Sequence, residues 1–151
     1  MSEIEKILLT VACTTIANFI IFILSKIYYE PIKKYRELKA RTNYLIIYYA
    51  NIYNNPIDIA NTNNKLPDDY KVAQKELRKI SAEWNTFIYL KYVPMFGALK
   101  NKNLIIIYEN LMGLSNSLNL PYRTNNEFLK EQKTEITERI NLIKRILKLK
   151  S

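Results

Sequence analysis

Histidine is absent from this chain, cysteine occurs once at Cys13, and the aspartates are limited to Asp58, Asp68 and Asp69. A Ser-His-Asp or Cys-His nucleophile, a His general base and a His-bearing zinc site therefore cannot be assembled within one subunit. Gly97 and Gly113 are the only glycines, so neither a Walker loop nor a dinucleotide fingerprint can be built. Tyrosine, lysine and glutamate chemistry is left without a motif. The chain reads as a protein that is not an enzyme and binds no cofactor or metal.

The polar residues with the most informative spacing lie in an apolar setting. Residues 7 to 24 run for eighteen positions without a charge, and within them Thr10, Thr14 and Asn18 recur every fourth residue. Ser25 continues the same helical face. Three readings stay open: a self-association face between spans, the polar wall of a pore in an oligomer, or hydroxyls that bond their own helix carbonyls beside a tolerated Asn18.

The element that carries these residues is a membrane span. At about 1.5 Å per residue, roughly 20 apolar residues cross the hydrocarbon core, and residues 4 to 25 supply that length. Six Lys or Arg against two Glu follow between residues 26 and 41. Under the positive-inside rule the N-terminus lies outside and the rest of the chain in the cytoplasm, with Lys26, Tyr28, Tyr29, Lys33 and Lys34 at the membrane interface. A cleaved signal peptide would need a basic n-region and a small-residue cleavage site, and Cys13 sits mid-run where a lipoprotein signal would not place it. The expectation is a single-pass anchor at residues 1–29 and a cytoplasmic domain at residues 30–151.

The formal net charge of +9, from 23 Lys or Arg against 14 Asp or Glu, suits a domain held beside anionic lipid, which attracts each nearby Lys or Arg by about 1 kcal/mol. One cysteine inside the span leaves no intramolecular disulfide. The predicted class is all-α, a transmembrane helix followed by a four-helix cytoplasmic bundle. Tyr35, Leu38, Thr42, Leu45, Tyr49 and Ile52 form the first apolar stripe on a helix opening at Pro31. Asp68 or Asp69 should cap a second helix bearing Tyr70, Ala73, Leu77, Ile80, Trp84 and Phe87. A break at residues 93–97 precedes a third helix with Leu104, Tyr108, Leu111, Ser115 and Leu118. Pro121 closes it, and Leu129, Ile136, Ile140, Ile143 and Leu147 mark a fourth. Asn54, Asn55, Pro56 and the Asn-rich residues 61–64 read as loop.

Among the twelve tyrosines, Tyr44, Tyr48, Tyr49 and Tyr53 crowd one helix. They suit core packing or an oligomer or protein-partner face, and, with Arg41 nearby, the stacking of nucleotide or RNA bases. No recognition motif supports nucleic acid. Small residues around Gly113 would allow close approach of a neighbouring helix, and Glu109 reads as a rim residue. The cations Lys144, Arg145, Lys148 and Lys150 could complement a helix dipole, touch anionic lipid or bind a polyanion.

The anchor, the run at residues 48–56 (YYANIYNNP), the Glu76-Leu77-Arg78-Lys79 segment, the Val93-Pro94 break and residues 111–118 (LMGLSNSL) together resemble a widespread group of small bacterial proteins with one membrane span and a cytoplasmic helical domain. That resemblance covers nearly the whole chain and implies a bacterial inner-membrane protein, without an activity. The chain is also similar to membrane-anchored accessory proteins of type VI CRISPR systems, which carry a divergent HEPN helical bundle and form pores. HEPN ribonucleases use an Arg followed a few residues on by His, and this chain has no His. That likeness implies a homo-oligomeric, membrane-perturbing role in phage defence without RNA cleavage; a membrane-tethered RNA- or nucleotide-binding adaptor is the alternative.

Overall fold

The computed structural model describes residues 2–55, 65–90, 101–118 and 126–149. The Asn-rich stretch 61–64, the break at 93–97 and Pro121 lie outside them. Every regular element among the described residues is helical: α1 (Glu3–Leu24), a π-helical turn (Ser25–Tyr29), α2 (Glu30–Tyr48), the short α3 (Ala50–Asn54), α4 (Asp68–Tyr89), α5 (Asn101–Ser117) and α6 (Asn126–Leu147).

Helix α1 opens on a capping box, in which the Ser2 hydroxyl accepts from the Glu5 N–H and the Glu5 carboxylate from the Ser2 N–H. It then continues without a break through α2, one rod of 46 residues. Pro31 was expected to open a separate helix, yet the rod absorbs it. Proline removes one N–H, and its ring collides with the carbonyl four residues back. Here the Glu30 N–H reaches Ser25 O, five residues back, and this widened turn clears the collision while the axis runs on.

None of α1 is buried. At about 1.5 Å per residue its length is about 33 Å, against a hydrocarbon core of about 30 Å. It is the one helix among the described residues long and apolar enough to cross a membrane. The remaining helices share a core of Leu38, Leu45, Ile52, Tyr53, Leu77, Ile80, Trp84, Ile107, Leu111, Leu114, Ile136, Ile143 and their neighbours.

Polar contacts set the register between helices. Arg41 on α2 donates to Glu76 at 3.2 Å and Glu83 at 2.6 Å, two turns apart on α4. The buried Thr42 hydroxyl accepts from the Trp84 indole at 2.9 Å. Between α4 and α5, Ser81 donates to Tyr108 O, and Ser115 donates to Gln74 O while accepting from Arg78 Nε, all within 3.1 Å. Gln132 of α6 donates to Ser117 O. Successive long helices therefore run antiparallel, α2 against α4, α4 against α5 and α5 against α6.

Two local expectations change. Asp68 and Asp69 do not cap α4; Pro67 holds the cap position, and both aspartates sit in the first turn, where a carboxylate still favours the positive end of the helix dipole. The small residues of α5 bind α4 through hydrogen bonds, and at Gly113 the neighbour is a side chain: an added Cβ would meet the Arg139 guanidinium, with Nε at 3.0 Å.

Candidate functional site

On α1 the polar face divides into satisfied and unsatisfied members. Thr10 donates to Lys6 O at 2.9 Å and Thr14 to Thr10 O at 2.8 Å; Thr15 does likewise to Val11 O. These hydroxyls bond their own helix, as the plainest of the three readings had it. Asn18 makes no hydrogen bond within the described residues, and its carboxamide is exposed among Ile21, Phe22 and Leu24, themselves more than half exposed. Ser25 opens the π-helical turn and is half-buried.

Just beyond α1, Lys26 pairs with Glu30 at 2.7 Å. Tyr28, Tyr29 and Lys33 are exposed and Lys34 half-buried. Lys34 also borders a groove of about 140 Å³ lined by Glu83, Thr86, Phe87 and Leu90. A wider groove of about 470 Å³ joins Arg36, Lys39, Ala40 and Asn43 of α2 to Lys148 and Leu149. Lys148 lies beyond the end of α6 in the left-handed region, φ 50°, where the Leu149 N–H closes on Lys144 O at 3.0 Å. Opposite residues 36–43, Lys148 stands about 18 Å or more beyond Leu24 along the rod. Lys144 and Arg145 lie in the last turn of α6, where their charges complement the helix dipole.

The tyrosine cluster also divides. Tyr44 and Tyr48 stack on the surface with ring centroids 5.3 Å apart, and with Ile47 they make an exposed aromatic strip. Tyr49 and Tyr53 belong to the core. The backbone leaves helical geometry at Tyr49 (φ −95°, ψ 18°), which turns α3 inward and lets the Tyr53 hydroxyl donate to Leu45 O at 3.3 Å. Burial raises the Tyr53 phenol far above its ordinary value, with Tyr49 adding a smaller push. Tyr49 is raised by burial first, then by Glu76 and its tyrosine neighbours. The oligomer or partner face expected from four tyrosines thus narrows to Tyr44, Ile47 and Tyr48.

Base stacking beside Arg41 loses its cation, because the guanidinium is held by Glu76 and Glu83. Glu109 is exposed, as a rim residue should be, and Glu131, Glu135 and Glu138 line a solvated face on which Arg139 pairs with Glu135 at 2.5 Å. Among the described residues no three Cys, Asp or Glu side chains converge as metal ligands would. The residue that sequence reasoning missed is Gln132, buried on the apolar stripe of α6, where its Nε2 donates to Ser117 O and its buried Oε1 has no partner among the described residues. Its spacing, three after Leu129 and four before Ile136, was the signal that placed it on that face. No family model, curated protein or solved structure matches this chain, so a functional reading rests on this geometry.

Proposed function

We propose that this chain is a non-enzymatic, single-pass bacterial inner-membrane protein whose span self-associates and whose cytoplasmic part, a four-helix bundle of α2, α4, α5 and α6, presents a surface to further copies or to a protein partner. The observation that carries the reading is Asn18, a carboxamide in the middle of the apolar run that makes no hydrogen bond within the described residues, on a helix with no buried residue. Its threonine neighbours are satisfied within the helix. An amide in hydrocarbon without a partner costs roughly 2 to 7 kcal/mol, and pairing between spans relieves that cost. Each interhelical polar contact contributes only about 0.6 to 2 kcal/mol, so a stable assembly needs several, with the Tyr44, Ile47 and Tyr48 strip of α2 supplying a second surface. Basic residues 26–41 support a cytoplasmic location for the helical domain. The most concrete form of the function, following the resemblance to CRISPR accessory proteins, is membrane perturbation during phage defence.

Mass measurement of the full chain in mild detergent and in nanodiscs tests the assembly. The parent should be a homo-oligomer. Asn18→Leu should shift the population toward smaller species without loss of far-ultraviolet helicity, because leucine fits lipid and leaves the bundle untouched. A monodisperse monomer in every environment refutes self-association and any pore built on it. Membrane potential during induced expression separates the effector from a passive adaptor: an effector depolarises, and Asn18→Leu suppresses the effect.

A further inference from the structure

The rod that leaves the membrane also measures how far the helical domain stands from it. Arg41 lies level with the midpoint of Glu76 and Glu83, and Tyr35 packs between Trp84 and Phe87 with ring centroids 5.8 and 6.4 Å away. Following this antiparallel register, Leu90 comes level with about residue 30 or 31 of the rod, about 10 Å beyond Leu24 and about 5 Å beyond Ile27. A headgroup layer occupies about 5 to 7 Å outside the hydrocarbon on each side. An ordinary span tilt of about 20° shortens heights along the rod by about 6 % and, because α4 lies about 9 Å to one side, raises or lowers its end by about 3 Å. The C-terminal end of α4 therefore stands at the outer edge of the headgroups.

The side chains at that end are the wrong ones for water. Tyr89 is 85 % exposed and Leu90 56 % exposed, whereas Tyr70, Ala73, Leu77, Ile80, Trp84 and Phe87 of α4 are buried and the other exposed large apolar residue, Val72, lies at the opposite end of the helix. The charges around them fit an anionic surface. Lys33 and Lys34 on α2 stand about 4 to 5 Å farther out, within a lysine side chain's reach of that level, and Lys102 of α5 comes level with Phe87 through the Ser81–Tyr108 and Gln74–Ser115 register. The acid nearest in height, Glu30, is paired with Lys26. Glu83, lining the Lys34 groove, is held by Arg41.

We infer that the end of α4, through Tyr89 and Leu90, with Lys34 across a shared groove and Lys33 and Lys102 a few ångströms farther out, is a second membrane contact that rests in the anionic headgroup layer of the bilayer crossed by α1. The inference rests on the reading of α1 as a membrane span. A tyrosine and a leucine at headgroup height bury apolar surface while the phenol stays wet, and the lysines meet lipid phosphate. Such a contact limits the tilt of the rod, and of the helical domain built on it, against the membrane plane.

The test places an environment-sensitive fluorophore on single cysteines of the full chain in a Cys13→Ser background, reconstituted with and without phosphatidylserine. The positions are Tyr89→Cys, Leu90→Cys, Ile16→Cys within the span and Lys75→Cys, exposed on α4 and level with about residue 45 of the rod, about 30 Å beyond Leu24. With anionic lipid, the label at Tyr89 or Leu90 should shift to the blue and lose intensity to headgroup spin-labelled lipid, while that at Lys75 stays aqueous. If the labels at Tyr89 and Leu90 are as aqueous as that at Lys75 while the Ile16 label is quenched by acyl-chain spin labels, the contact is refuted and the anchor stands. An unquenched Ile16 label overturns the anchor and the contact together. A blue shift at Tyr89 that spin-labelled lipid leaves unchanged assigns the surface to a second protein copy and overturns the lipid assignment.

Discussion

Replacing Thr42 by valine isolates one buried hydrogen bond at the junction of α2 and α4. Thr42 and Trp84 are both fully buried, and the Thr42 hydroxyl accepts from the indole N–H at 2.9 Å while donating to Leu38 O at 2.8 Å. Valine keeps the shape and removes the acceptor. The second bond weighs little, since the Leu38 carbonyl retains its helical partner. An orphaned buried donor costs about 1 to 3 kcal/mol. For a domain of this size that lowers Tm by roughly 4 to 12 °C. The assay is thermal unfolding of the full chain in detergent, followed by circular dichroism and by the emission of Trp84, the single tryptophan. Repeating Thr42→Val in a Trp84→Phe background completes a double-mutant cycle. With no indole to orphan, the substitution should change stability by less than about 0.5 kcal/mol there, because both partners have been removed. The reasoning is refuted if Thr42→Val melts within about 1 °C of the parent, or costs the same in both backgrounds.

Alkaline stability should follow the buried tyrosines. Tyr35, Tyr49, Tyr53 and Tyr70 all have raised phenol pKa values, with burial the leading cause in each. Their unfolded counterparts ionise near pH 10, so above that pH the unfolded chain binds fewer protons than the native one and stability falls as pH rises. Urea midpoints measured upward from pH 9 should stay level and then decline above about pH 10, less steeply in Tyr53→Phe; a decline of equal slope in that variant contradicts the assignment. Lys148→Gly should stabilise the chain by about 1 kcal/mol, because glycine enters the left-handed region at a helix end without the strain a lysine bears. A lower urea midpoint for this variant would show that the lysine side chain contributes more than its backbone costs.

Much of the helical face pattern was legible without tertiary information. Tyr70, Ala73, Leu77, Ile80, Trp84 and Phe87 are the six apolar positions expected from alternating steps of three and four, and all six are buried. Leu38, Thr42, Leu45, Tyr49 and Ile52 behave the same way. That period is a property of the helix itself, which returns a side chain to one face every three or four residues whatever it later packs against. The apolar run of α1 was equally plain, since its composition and length need no partner to interpret.

What the tertiary structure alone decided is where the polar and aromatic groups spend their chemistry. Arg41 could be read as a free cation until Glu76 and Glu83, distant in sequence, closed on it. Four tyrosines looked like one face until the departure from helical geometry at Tyr49 sent Tyr49 and Tyr53 inward and left Tyr44 and Tyr48 outside. Pro31 suggested a helix start, and the π-helical turn made it part of a continuous rod. Composition and period settled the helices and their buried stripes because those depend on neighbours within a turn or two. The ion pairs, the inward turn of α3 and the register of α4 along the rod depend on which distant segments meet, and no local spacing encodes that closure.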